Sequence, residues 1–101
     1  MNARERQKKL KDAERAGNAA LRQALEEILE ECAGNPEVLA ALADFCEEQA
    51  FDACERGDGG LQGTWMFMHD RTCVFARQGL DESGWHRFLK AKNDSIPVRY
   101  L

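Results

Sequence analysis

A chain of 101 residues can form one domain with a modest core of its own, so neither disulfides nor metals are required to hold it together. A hydrophobic content of 44% excludes a wholly disordered chain. No apolar run approaches the roughly 20 residues that span a bilayer, and the basic N-terminus is not followed by an apolar secretory stretch, which predicts a cytoplasmic protein without membrane association. The net charge of -4 conceals a sorting into blocks. Residues 1–22 hold seven basic and three acidic residues, residues 23–58 one basic and eleven acidic, and residues 59–101 six basic and four acidic. Such blocks shape long-range fields and the choice of partner. With no export signal, Cys32, Cys46, Cys54 and Cys73 read as reduced thiols, the first three on apolar helical faces.

The first helix is predicted from Asn2 or Ala3 to about Cys32, with Gly17 tolerated inside it. Leu21, Leu25, Ile28 and Cys32 make a buried stripe at helical spacing. Before Leu21 only Leu10 and small residues continue it, so residues 1–18 read as a basic helical arm that projects or frays. Gly34-Asn35-Pro36-Glu37 is the clearest boundary: a residue suited to the left-handed conformation, an N-cap, a first-turn proline and an acid at the positive helix end. Helix two then runs from Pro36 to about Arg56, with Val38, Leu42, Phe45 and Phe51 packed on Leu21, Leu25 and Ile28 in an antiparallel hairpin. Residues 57–63 read as a flexible turn. Over Thr64–Gln78 a helix capped by Thr64 is preferred, and a small β-hairpin over 64–76 is the alternative, because aromatic and branched residues favour strands. Asp81 caps a short helix ending near Lys92, with Trp85, Phe88 and Leu89 inward, and Pro97 makes 93–101 an extended tail. The expected fold is mainly α: one small helical domain over 1–101, an antiparallel hairpin plus one or two shorter C-terminal helices.

The acidic block is the first candidate for function. Glu26, Glu27, Glu30 and Glu31 crowd helix one, and Asp44, Glu48 and Asp52 lie on helix two opposite its core face. Like-charged neighbours four apart destabilise an isolated helix by roughly 0.2–0.5 kcal/mol each. On a single helix of residues 2–32, cations at the N-terminal end and carboxylates at the C-terminal end also oppose the helix dipole. Something outside that helix therefore sets these charges, and a row of carboxylates on a rigid hairpin can imitate phosphates and fill a basic groove. The plain alternative is a solvated face that keeps a small protein soluble.

A second candidate is the basic arm, where Arg4, Arg6, Lys8, Lys9, Lys11 and Arg15 could neutralise phosphates, although acids interrupt it and no aromatic residue interleaves for base stacking. A third is the aromatic region, in which Trp65, Met66, Phe67, Arg71 and Arg77 have the composition of a protein interface. His69 and Cys73 share a helical face and could be joined by Cys46, Cys54 or His86 at a zinc ion, but no Cys-x-x-Cys pair exists, so no metal or other cofactor is expected. No nucleophile with an orienting partner and no phosphate loop is present, so the chain reads as a non-enzyme.

Compact size, segregated charge and the absence of a catalytic motif resemble, in type, the mobile-element inhibitors that block nucleic-acid-handling machines, including anti-CRISPR and anti-nuclease proteins. That resemblance implies an inhibitor or adaptor whose acidic helical surface meets a protein partner bearing a basic nucleic-acid-binding surface. Direct binding of nucleic acid by the basic arm, as an accessory or regulatory protein, is the alternative.

Overall fold

A computed structural model describes residues 1–95 of the chain. These residues form five helices: α1 (Ala3–Ala16), α2 (Asn18–Cys32), α3 (Pro36–Glu55), α4 (Gly59–Gly79) and α5 (Glu82–Ser95). No strand occurs among the described residues, so the fold is mainly α and the β-hairpin alternative over 64–76 is ruled out.

The expected first helix is two. At Gly17 the backbone turns to φ 123°, a conformation that L side chains rarely adopt, and α1 folds back antiparallel along α2. A straight helix would have left Leu10 in water; the break buries it completely. The residues expected to project as an arm are therefore docked, and the radius of gyration of 13.0 Å is that of a compact chain of about 100 residues.

Asn35 caps α3 as expected, its side chain accepting from the Val38 amide at 3.3 Å, with Pro36 in the first turn and Gly34 at φ 81° just before it. The neighbours of α3 differ from expectation. It packs most broadly on α4 and then on α5, whereas α2 lies mainly along α1 and meets α3 only weakly. Val38, Leu42 and Phe45 line a cleft with Ala3, Arg6 and Gln7 of α1, and Phe45 meets Trp65 of α4 edge to face at 5.8 Å.

The glycine-rich stretch expected to be a turn is largely helical. Asp58 caps α4 by accepting from the Leu61 amide at 3.0 Å, and Gly59, Gly60 and Gly63 are helical despite a propensity penalty of about 1 kcal/mol each. Thr64, expected as the cap, is buried inside α4 with its hydroxyl donating to the Gly60 carbonyl at 3.2 Å. What selects helix is burial of one face: Trp65, Met68, Thr72 and Ala76 recur at helical spacing and are all buried.

Asp81 accepts from the Gly84 amide at 2.7 Å at the start of α5. Phe88 is buried, whereas Leu89, expected inward, is 39% exposed and its place is taken by Lys92. The helix continues to Ser95, so the expected tail does not begin at 93; residues 96–101 lie outside the described residues. No helix of the described residues is long and apolar enough to cross a membrane.

Candidate binding surface

The helical break decides where the charge blocks go. Because α1 runs antiparallel to α2, its basic N-terminal end lies beside the acidic C-terminal end of α2. The Met1 amine reaches Glu31 at 2.9 Å, Arg6 reaches the same carboxylate at 3.9 Å, and Lys9 meets Glu27 at 2.7 Å. The Lys9 hydrogen bond holds the Glu27 carboxyl below its ordinary range. The charge arrangement that opposes the dipole of one long helix is thus favourable for two antiparallel ones, since cations now stand at the negative end of α2. Glu26 is taken by Arg71 of α4 through two hydrogen bonds of 2.8 and 3.1 Å, a forked pair that raises the arginine further. Among the acids expected on this helix, Glu30 alone has no cationic partner among the described residues.

The basic candidates are occupied in the same way. Lys8 pairs with Asp12 of its own helix at 2.7 Å, and Lys11 with Glu14 at 3.0 Å and with the Gln49 carbonyl oxygen at 2.8 Å. Arg4 is exposed and makes no ion pair among the described residues. The external agent that sets the α2 carboxylates is to this extent the chain's own α1.

Among the acids of α3 the compensation is uneven, and Asp44, expected on the outer face, is with Glu47 turned toward α5 and α4, each side chain 14% exposed. Glu37 is gripped by Arg87 at 2.6 Å, Asp44 by Lys92 at 3.1 Å, and Glu47 lies 3.5 Å from His69. Toward the C-terminal end, Glu48, Asp52 and Glu55 follow one another on the exposed side with no ion pair among the described residues. Partial desolvation by its neighbours, together with the charges of Asp44, Asp52 and Glu47, pushes the Glu48 carboxyl up. The sign is that of a penalty: the folded state holds the Glu48 proton more tightly than the unfolded chain, so ionising it at neutral pH costs stability.

The aromatic candidates separate. Trp65 is fully buried, its indole nitrogen donating to Glu14 at 2.8 Å, so it is a core residue and not a surface anchor. Partial burial would raise the Glu14 carboxyl, but the Trp65 and Lys11 hydrogen bonds outweigh that and hold it low. Arg71, tied to Glu26, lies 5.7 Å from the Phe75 ring centre. Phe67 is 50% exposed, with Arg22 over its ring at 4.7 Å, and Val74 two turns on is 49% exposed.

His69 and Cys73 do meet, Nε2 to Sγ at 3.8 Å, but Lys92 stands against the same nitrogen, Cys54 is on the surface, and His86 pairs with Glu82 at 3.7 Å. No group of three His, Cys, Asp or Glu side chains among the described residues could hold a metal ion. Burial pushes the Cys46 thiol up to about 12 and raises Cys73 as well, which makes both poor nucleophiles. Sequence reasoning missed Glu14, Glu47 and Lys92. Of these Lys92 carries a signal, for it falls four residues after Phe88 and seven after Trp85, on the inward stripe of α5.

No protein-family model matches the chain, and comparisons with curated proteins and with solved structures found no significant match.

Proposed function

We propose that the chain is a non-enzymatic cytoplasmic protein that inhibits or adapts a nucleic-acid-handling complex, of the anti-CRISPR or anti-nuclease type, by docking an acidic helical face on a basic nucleic-acid-binding surface. The observation that supports this reading is the row Glu48, Asp52 and Glu55. Glu26, Glu27 and Glu31 of α2 have partners within the chain, so helix packing accounts for them; this row has no ion pair among the described residues, and its first member is ionised at a cost to the fold. Carboxylates spaced over about 10 Å of rigid helix present repeated negative charge to a groove evolved for phosphates. The acidic contact is accordingly centred on the C-terminal half of α3, with the α2 acids contributing field.

Competition measures this directly. Purified chain is titrated into purified CRISPR effector complexes and nucleases bound to labelled duplex or single-stranded probes. Displacement of the probe from at least one of them, weakening as salt rises, is the expected result. Reversing Glu48, Asp52 and Glu55 to Lys should abolish displacement with the helical content unchanged. Glu48→Gln should weaken displacement yet raise the melting temperature at pH 7, a gain that disappears at acid pH where Glu48 is itself protonated. If the chain instead binds the probes directly, and loses that binding when Arg4, Lys8 and Arg15 are neutralised, it acts through its basic helix and the proposal is wrong.

A further inference from the structure

The outer side of α4 carries a narrow stripe. Gly63, Phe67, Asp70, Val74 and Arg77 follow one another at alternating steps of four and three residues, and all are exposed, on the side of the helix opposite the buried row Trp65, Met68, Thr72 and Ala76. This is the spacing of a coiled-coil seam, about 21 Å long at a rise of about 1.5 Å per residue. Phe67 and Val74 are two of the four large apolar side chains left exposed among the described residues. Single exposed apolar residues are ordinary, but these two stand a heptad apart on one seam and present a continuous strip.

Beside them stand one acid and one base. The Asp70 carboxylate, 73% exposed, has Oδ1 3.0 Å from His69 Nδ1, and a carboxylate accepts several hydrogen bonds at once. Arg77 lies 5.1 Å from the Trp85 ring centre and 3.5 Å from Glu82, a loose surface pair that a second carboxylate joins or replaces at little cost. Acid and base are themselves a heptad apart, which makes the stripe complementary to itself. Turned end for end about a two-fold axis midway between residues 70 and 74, it sets Phe67 level with Arg77 of the copy and Asp70 level with Val74, so that Arg77 of each chain reaches Asp70 of the other and lies over its Phe67. Gly63 suits the same contact: a glycine weakens a helix, and a Cβ there would meet nothing within 4 Å inside the chain, whereas at the end of a seam its absence lets the copy's backbone come close.

We propose that the outer face of α4 is a self-association surface on which a second copy of the chain pairs antiparallel, with Phe67 and Val74 of both copies as its apolar centre and two reciprocal Asp70–Arg77 pairs fixing its register. Copies that each carry a net charge of -4 repel one another, so they meet where charge is balanced. The stripe holds one charge of each sign, whereas the row Glu48, Asp52 and Glu55 lies on α3. A single helix pair is a small interface, so the dimer forms reversibly in the micromolar range. It does not depend on the identity of any partner of the acidic face.

Sedimentation equilibrium from micromolar to near-millimolar concentration should show the mass of the wild-type protein rising from monomer to dimer. Asp70→Arg and Arg77→Asp should each raise the dissociation constant at least about tenfold, because each sets like charges across both contacts. Circular dichroism should not change, since both positions are exposed. Mixed one to one, the two variants should recover the dimer, for each then supplies the charge that the other lacks. A wild-type protein that stays monomeric throughout overturns the proposal and leaves the stripe to solvent or to a different protein. So does a dimer that both single variants retain, which places the contact elsewhere or sets the helices parallel, or a mixture of the two variants that stays monomeric.

Discussion

Leu10→Ala should lower the free energy of unfolding by about 2–5 kcal/mol, the range for removing a fully buried leucine. Leu10 is completely buried, although it belongs to a helix that is otherwise polar or small on nearly every side. Its burial exists only because α1 lies along α2. Were residues 3–16 a projecting arm, the same substitution would fall among surface changes, within about 0.5 kcal/mol of neutral. Urea denaturation distinguishes the two, and against the roughly 5–15 kcal/mol that stabilises a domain of this size the expected loss is large.

Trp65→Ala should cost about 3–5 kcal/mol. The indole fills the space between α3 and α4 against Phe45, with the Lys11 ammonium 5.9 Å from its ring centre, and it carries the bond to Glu14 that links α4 to α1. Trp65→Phe separates the two roles, since it keeps most of the volume and removes the donor; a hydrogen bond to a charged group is worth about 1.5–3 kcal/mol. The pH dependence follows from Glu14. Its folded carboxyl is held below the ordinary value, so its contribution is present above the unfolded pKa near 4.5 and is lost as pH falls through the folded one. Trp65→Phe should therefore flatten the acid limb of the stability curve, an effect that loss of volume alone does not produce.

The boundary at Gly34 to Glu37 was legible because capping chemistry is local: Asn35 and Val38 are three residues apart and need nothing else. Gly17 was not. A glycine inside a helix costs about 1 kcal/mol, which sequence reasoning accepts, whereas the break is settled by events far along the chain, the burial of Leu10 and the meeting of Lys9 with Glu27. Residues 64–78 were ambiguous because Trp, Phe, Thr and Val suit strands; the buried row Trp65, Met68, Thr72 and Ala76 decided for helix. The acidic block itself could be read directly, and so could its conflict with helix stability. Which acids have partners could not, because Glu26 finds Arg71 forty-five residues away and Glu37 finds Arg87 fifty away. Trp65 looked like an interface residue for the same reason: composition marks an aromatic cluster but not which side of α4 faces inward.

The claim on which the rest depends is that the basic block folds back on the acidic one, so that most acids of α2 are neutralised while those at the C-terminal end of α3 are not. Spin labels carried on bio-orthogonal side chains at the exposed positions 4 and 30, which leave the four cysteines untouched, report this as a distance. Antiparallel helices packed 8–10 Å apart predict a separation of about 20 Å between the labels. A continuous helix with the arm extended predicts about 39 Å, from 26 residues at 1.5 Å each, and a distribution centred there would contradict the account.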